Sequence, residues 1–293
     1  MNRRQLPCTA GLGLGGQRFI TGMPRGNCTS VWDAVPTIPS IAAPATGLLA
    51  HAIRAVFWTN RIVAACLLLV TGAVYAQDAG SEAFKSVYSA KDISLQTSPQ
   101  SAFWHEAPPV YAEVDLHGKP VPNYRTAVRS RWTKENLYLL YACPYDELYL
   151  KPSPNTVAET NELWKWDVAE LFIGSNFENI RRYKEFEVSP QGEWIDLDID
   201  LALPHPEVGW TWNSGFQVAA RIDRKTKVWY AAMRIPFSAL DQRTPSVGEI
   251  FRANLFRIQG GPNQRILISW KAPMSGTFHT PERFGTLELV KAK

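Results

Sequence analysis

Trp194-Ile-Asp-Leu-Asp-Ile-Asp-Leu201 alternates apolar and acidic residues without a break. Side chains of a strand alternate between two faces, so Ile195, Leu197, Ile199 and Leu201 share one side and Asp196, Asp198 and Asp200 the other. A one-residue slip would move three carboxylates to the apolar side, so the register should be firmly set. Upstream, Val168-Ala-Glu-Leu-Phe-Ile173 has one wholly apolar face, Ala169, Leu171 and Ile173, which reads as core. Its other face carries Val168, Glu170 and Phe172, and the same line runs back through Trp166 and Trp164. An acid flanked by aromatics is a mixed surface, closer to a binding floor than to a core.

Working outward, short β-branched and aromatic runs recur at 125–132, 137–143, 168–173, 183–188, 193–200, 216–222, 227–235, 250–258, 265–271 and 285–290. Clusters of Pro, Gly, Asn and Asp separate them, as expected of strands joined by turns. No long amphipathic helix competes; one short helical turn is expected at 237–240, after Pro236. Many closely spaced strands without βαβ alternation predict an all-β fold, a jelly-roll-like antiparallel β-sandwich. Two long irregular connections, 143–162 and 203–214, are of a length that often serves function.

The N-terminal region reads differently. Arg61 precedes the apolar run Ile62-Val-Ala-Ala-Cys-Leu-Leu-Leu-Val70, then Thr71-Gly-Ala-Val-Tyr-Ala76 and Gln77. A positive flank, a short apolar core and a small-residue cleavage pattern predict a signal peptide over 61–76. The apolar stretch, about 14 residues, falls short of the roughly 20 that span a bilayer. The expected mature protein is a single domain over 77–293, secreted or periplasmic, with no membrane partner after cleavage. Residues 1–60 show no sustained period and read as a start codon placed too far upstream, or as a disordered leader. Residues 1–76 hold six arginines and one acid, against a whole-chain charge of +4, so the mature part carries −1. The basic balance belongs to the leader and gives no argument for a nucleic-acid partner.

Cysteine use agrees with a domain held by its core. Of four cysteines only Cys143 lies beyond residue 77, so the mature chain forms no internal disulfide. Cys143 ends the apolar run from Leu137 and is expected to be a buried, inert thiol.

The familiar phosphate-, dinucleotide- and metal-binding motifs and the nucleophile elbow do not occur. Paired carboxylates of the kind a glycosidase needs are present at Glu185/Glu187 and within 196–200, although they read first as solvated strand faces. Asp196, Asp198 and Asp200 are candidate ligands for a structural calcium ion, a hard cation that takes oxygen ligands. No other cofactor is expected. The distinctive feature is tryptophan: nine of eleven lie beyond residue 77. Trp132 and Trp229 fall inside strand runs and read as packing. Trp164, Trp166, Trp210 and Trp212 fall at strand ends and loops. Exposed indoles there can cover the C–H face of a sugar ring while neighbouring polar groups bond its hydroxyls.

Several segments in order resemble a family 9 carbohydrate-binding module. They are Trp164-Lys-Trp-Asp-Val-Ala-Glu-Leu-Phe-Ile173, Glu185-Phe-Glu-Val-Ser-Pro-Gln-Gly192, the run from Trp229 ending Arg-Ile-Pro-Phe237, Arg252-Ala-Asn-Leu-Phe-Arg257, Ser269-Trp270, and Phe278-His-Thr-Pro-Glu-Arg-Phe-Gly285. The resemblance implies a β-sandwich whose aromatic clamp grips a sugar unit. It implies Trp164 as one stacking ring and Glu170 as an acceptor of sugar hydroxyls. Trp270 is the expected second ring, with Trp210 or Trp212 next. Asn254 is implied either as a further hydrogen-bonding group or as a buried structural amide. The implied partner is an oligo- or polysaccharide and the implied role non-catalytic binding. An exported glycan hydrolase using paired carboxylates is the alternative, followed by a sandwich that binds a protein or a redox cofactor.

Overall fold

A computed structural model describes residues 83–292. The expected leader and signal peptide, and the start of the mature segment, lie outside the described residues. Twelve strands form one sheet: β1 (Phe84–Tyr88), β2 (Val110–Ala112), β3 (Thr126–Trp132), β4 (Asn136–Pro144), β5 (Val168–Gly174), β6 (Arg182–Val188), β7 (Trp194–Asp200), β8 (Gln217–Asp223), β9 (Val228–Pro236), β10 (Ile250–Gln259), β11 (Ile266–Ser269) and β12 (Gly285–Val290). The order is β7-β6-β5-β10-β12-β1-β3-β4-β9-β8, with β11 beside β10 and β2 beside β3. The α-helix of the described residues is a single turn, α1 (Ala102–His105). None is long and apolar enough to cross a membrane. The expected turn after Pro236 is present at Phe237–Ala239.

The sheet doubles over into two layers. Inner-face residues of β5, β6, β10 and β12, among them Leu171, Phe186, Leu255 and Leu287, pack with Leu139, Tyr141, Ala231 and Met233 of β4 and β9 in one buried cluster. This is the fold expected from the alternating runs, with one difference. β1 pairs parallel with both β12 and β3 and joins the layers, whereas every other strand pairing is antiparallel. Phe84-Lys-Ser-Val-Tyr88 is too short to show a period, and its partners lie far away in sequence.

Two devices hold the layer that matters below. The β6–β7 hairpin closes through Ser189 and Glu193 backbones, with Gly192 at φ +88°, a left-handed turn that suits glycine. That turn sets Glu187 opposite Ile195 and Glu185 opposite Leu197. Across the core, the buried Tyr141 hydroxyl donates to the Glu170 carbonyl at 2.7 Å, tying β4 to β5. Cys143 is buried as expected, and burial pushes its thiol up to about 12, so it stays protonated.

A rim contact gives a pH-dependent contribution. Asp241 accepts from Arg243 at its Nη2 (2.5 Å), Nε (3.0 Å) and backbone N–H (3.0 Å). Chiefly through the Arg243 side chain, its carboxyl is held down to about 2. A lowered folded value stabilises above the unfolded one, and that contribution fades as pH falls from about 4 toward 2. Asp241→Asn should therefore cost about 1 kcal/mol in urea denaturation at pH 7, and the gap from wild type should close on acidification.

Candidate functional site

The outer face of the β5–β6–β7–β10 layer carries a second apolar cluster. Val168 and Phe172 of β5, Tyr183 of β6, Ile195, Leu197 and Ile199 of β7, and Phe256 and Ile258 of β10 form its floor. Leu163, Trp164 and Phe278 pack onto it from loops. A layer that is apolar on both faces must be covered on both, and here loops supply the second cover. They leave a cavity of about 380 Å³, lined by Trp164, Glu170, Phe172, Glu185, Leu197, Ile199, Ile258, Arg265, Leu267, Phe278 and His279, with Pro206, Glu207, Gly276 and Thr277 at its margin. An apolar pocket of this size with a few convergent polar groups is the ordinary form of a small-molecule site.

Several polar groups in and beside the cavity have an identifiable support. Asp167, wholly buried, accepts from the backbone N–H of Tyr149 (3.0 Å) and Gly260 (2.6 Å). This fixes the chain just ahead of β5 and the one-turn 3-10 segment Leu163–Lys165 that presents Trp164. Arg265 donates from Nη2 to the Trp164 carbonyl. His279 Nδ1 lies 2.6 Å from the Tyr183 hydroxyl, and its ring lies 5.2 Å from that of Phe172. Burial lowers its pKa, so the imidazole is neutral and offers one donor and one acceptor.

The carboxylates depart from the solvated faces weighed in the sequence. Glu170, Glu185 and Glu187 are buried, at 1%, 4% and 0% exposure. Glu170 and Glu187 are directly opposed across β5 and β6. Burial pushes all three up: Glu170 and Glu187 well above the carboxylate range, with neighbouring glutamates adding to it, and Glu185 up to about 7.

Of the seven sugar-site residues expected from the sequence, Trp164 and Glu170 meet in this cavity. Trp166 stacks on Tyr149 at 4.6 Å, outside it. Trp270 packs edge-on against Phe84 at 6.1 Å, over Gly285, where a side chain would strike the indole at 2.7 Å. Asn254 is wholly buried; its Nδ2 donates to the Lys271 carbonyl and its Oδ1 accepts from the Lys271 N–H, a structural bracket between β10 and the chain after β11. Trp210 and Trp212 line a separate groove of about 430 Å³ with Trp194 and Phe216, and Trp212 carries the Lys184 ammonium 4.2 Å above its ring.

The aspartate trio does not lie free on a solvated face either. Asp196, 1% exposed, takes the Ser214 N–H at 2.8 Å and its hydroxyl. Asp198 pairs with Lys184 at 2.7 Å and Asp200 with Arg182 at 3.5 Å. Sequence reasoning had set Phe172 on the mixed face with Glu170 but did not place Arg265, Phe278 or His279 in the site. Phe278-His279 stood within a segment that carried the resemblance, and that was the signal available.

A model of the family described as "Carbohydrate family 9 binding domain-like" matches residues 100–292. An "Extracellular protein" of Arthroderma benhamiae is 27% identical over 185 residues, covering 59% of this chain and 81% of that protein. A family 9 module from Caldicellulosiruptor kristjanssonii, solved in complex with glucose, superposes with a TM-score of 0.51 at 14% identity over 71% of this chain and 97% of its own. The same module in complex with cellotriose gives the same TM-score and identity, over 71% and 95%. At that identity the likeness is one of fold, while the family match spans nearly all of the described strands. By that match, this chain belongs to the carbohydrate family 9 binding domain-like family.

Proposed function

We propose that this protein is an exported, non-catalytic carbohydrate-binding protein, secreted or periplasmic, whose site is the Trp164–Glu170 cavity. The observation that carries this reading is the meeting of Trp164 and Glu170 in one apolar pocket. The indole offers a flat apolar surface to the C–H face of a sugar ring. Glu170 and Arg265 offer an acceptor and a donor to its hydroxyls, and His279 offers its remaining ring nitrogen, Nδ1 being taken by Tyr183. Phe278 and Phe172 supply further aromatic surface in the same cavity, in the place that the sequence had given to Trp270.

The hydrolase alternative fits less well. Acid and base must flank a glycosidic bond from opposite sides. Glu170, Glu185 and Glu187 instead project from one sheet face, in register across β5 and β6. Glucose and cellotriose, each bound to a solved relative, are the first probes. Calorimetry with the purified protein should give saturable binding to members of a sugar panel headed by these two, and incubation with polysaccharide should release no reducing ends. Turnover, or an absence of binding to every sugar of the panel, would overturn the reading.

A further inference from the structure

We propose that Glu170, Glu185 and Glu187 together hold one calcium ion at the floor of this cavity. One oxygen from each lies within 4.8 Å of the others. Calcium takes oxygen ligands at about 2.3–2.6 Å, so ligands on opposite sides of one ion stand about 5 Å apart. The second observation is independent of that spacing. Both oxygens of Glu187, and one each of Glu170 and Glu185, have no hydrogen-bond partner although the side chains are buried. Buried polar atoms are normally hydrogen-bonded or bound to metal.

Among the described residues Arg265 is the cation whose charge reaches Glu170 and Glu187, but it forms no ion pair with either. Arg265, the cation lining the cavity, is exposed and already donates to the Trp164 carbonyl. His279 is engaged with Tyr183. Lys184, between Tyr183 and Glu185 on β6, is turned to the opposite face, against Asp198 and Trp212. Like charges opposed across a strand pair repel, as Glu170 and Glu187 do here, and a divalent ion between them reverses the sign. The donor set contains oxygen only. Zinc favours nitrogen and sulfur ligands, and magnesium retains its waters; three carboxylates giving up to six oxygens suit calcium. The sequence had placed calcium at Asp196, Asp198 and Asp200; there Asp198 and Asp200 are paired with Lys184 and Arg182, and Asp196 binds Ser214 through one oxygen while its other oxygen is buried without a partner.

The test uses the full chain, stripped with chelator, and calcium alone with no sugar present, so its outcome is independent of the saccharide reading. Calorimetry should show one ion per chain. Calcium at a hundredfold above Kd should raise Tm by about 5–10 °C over the stripped protein. Glu187→Gln and Glu185→Gln should each weaken calcium binding at least tenfold, while Asp198→Asn leaves it unchanged. The wild-type titration stands whether or not the variants fold. Absence of a bound ion in wild type would overturn the proposal and leave the glutamates sharing protons. Binding that survives Glu187→Gln but is lost in Asp198→Asn would overturn it as well.

Discussion

Trp164→Ala should lower sugar affinity at least tenfold in calorimetry, with no change in the unfolding midpoint beyond about 2 °C. The indole is half-buried against the outer apolar cluster and lines the cavity. Its removal takes away contact surface for a sugar ring without opening the sandwich core. A tenfold loss corresponds to about 1.4 kcal/mol. That is the scale of burying some 50–60 Å² of apolar surface at about 25 cal/mol/Å². Trp270→Ala is the matched control. It removes the same side chain from the Phe84 contact, outside the cavity, and should cost stability while leaving affinity within twofold. A reversed pattern would return the clamp to Trp270.

Trp229→Ala should be the most destabilising single truncation of an indole in the sandwich core. Trp229 is wholly buried on β9, opposite Cys143 of β4. The Arg257 guanidinium lies 5.9 Å from its ring. Its Nε1 makes no hydrogen bond, so its contribution is packing. Large-to-small changes at such sites cost about 3–5 kcal/mol, because the cavity left behind collapses only in part. For a domain of this size that is roughly 10 °C in Tm. The loss is compounded at Arg257, itself buried, bonded to Thr126 Oγ1 at 3.1 Å and to Gln259. Thermal unfolding followed by circular dichroism reads it. A drop under 3 °C would mean that the core closes around the gap.

The fold was legible wherever a period ran long enough to count. The alternation at 194–201 and 168–173 placed both strands and assigned Ala169, Leu171 and Ile173 to the core, because a strand face is set locally. The short β1 was not legible, since its pairing with β12 joins residues roughly two hundred positions apart and five residues show no pattern. The same limit governed the site. Trp164 and Glu170 lie six residues apart, one in the turn just ahead of β5 and one on β5 itself, and the sequence brought them together. Phe278 and His279 reach the cavity from a loop beyond β11, and only the closed sandwich brings them there. Glu185 and Glu187 read as solvated because their strand alternates. What buries them is a second cover of loops on the outer face, which no local pattern announces. Asn254 was open between sugar ligand and structural amide, and its two bonds to Lys271 are of the kind the second role needs.

The central claim is that the cavity bounded by Trp164, Glu170 and His279 is where a saccharide sits. A crystal structure with bound glucose tests it most directly. The account predicts the sugar ring against the Trp164 indole, with a hydroxyl within hydrogen-bonding distance of Glu170. Glucose seated in the groove of Trp194, Trp210 and Trp212, with the Trp164 cavity empty, would contradict it.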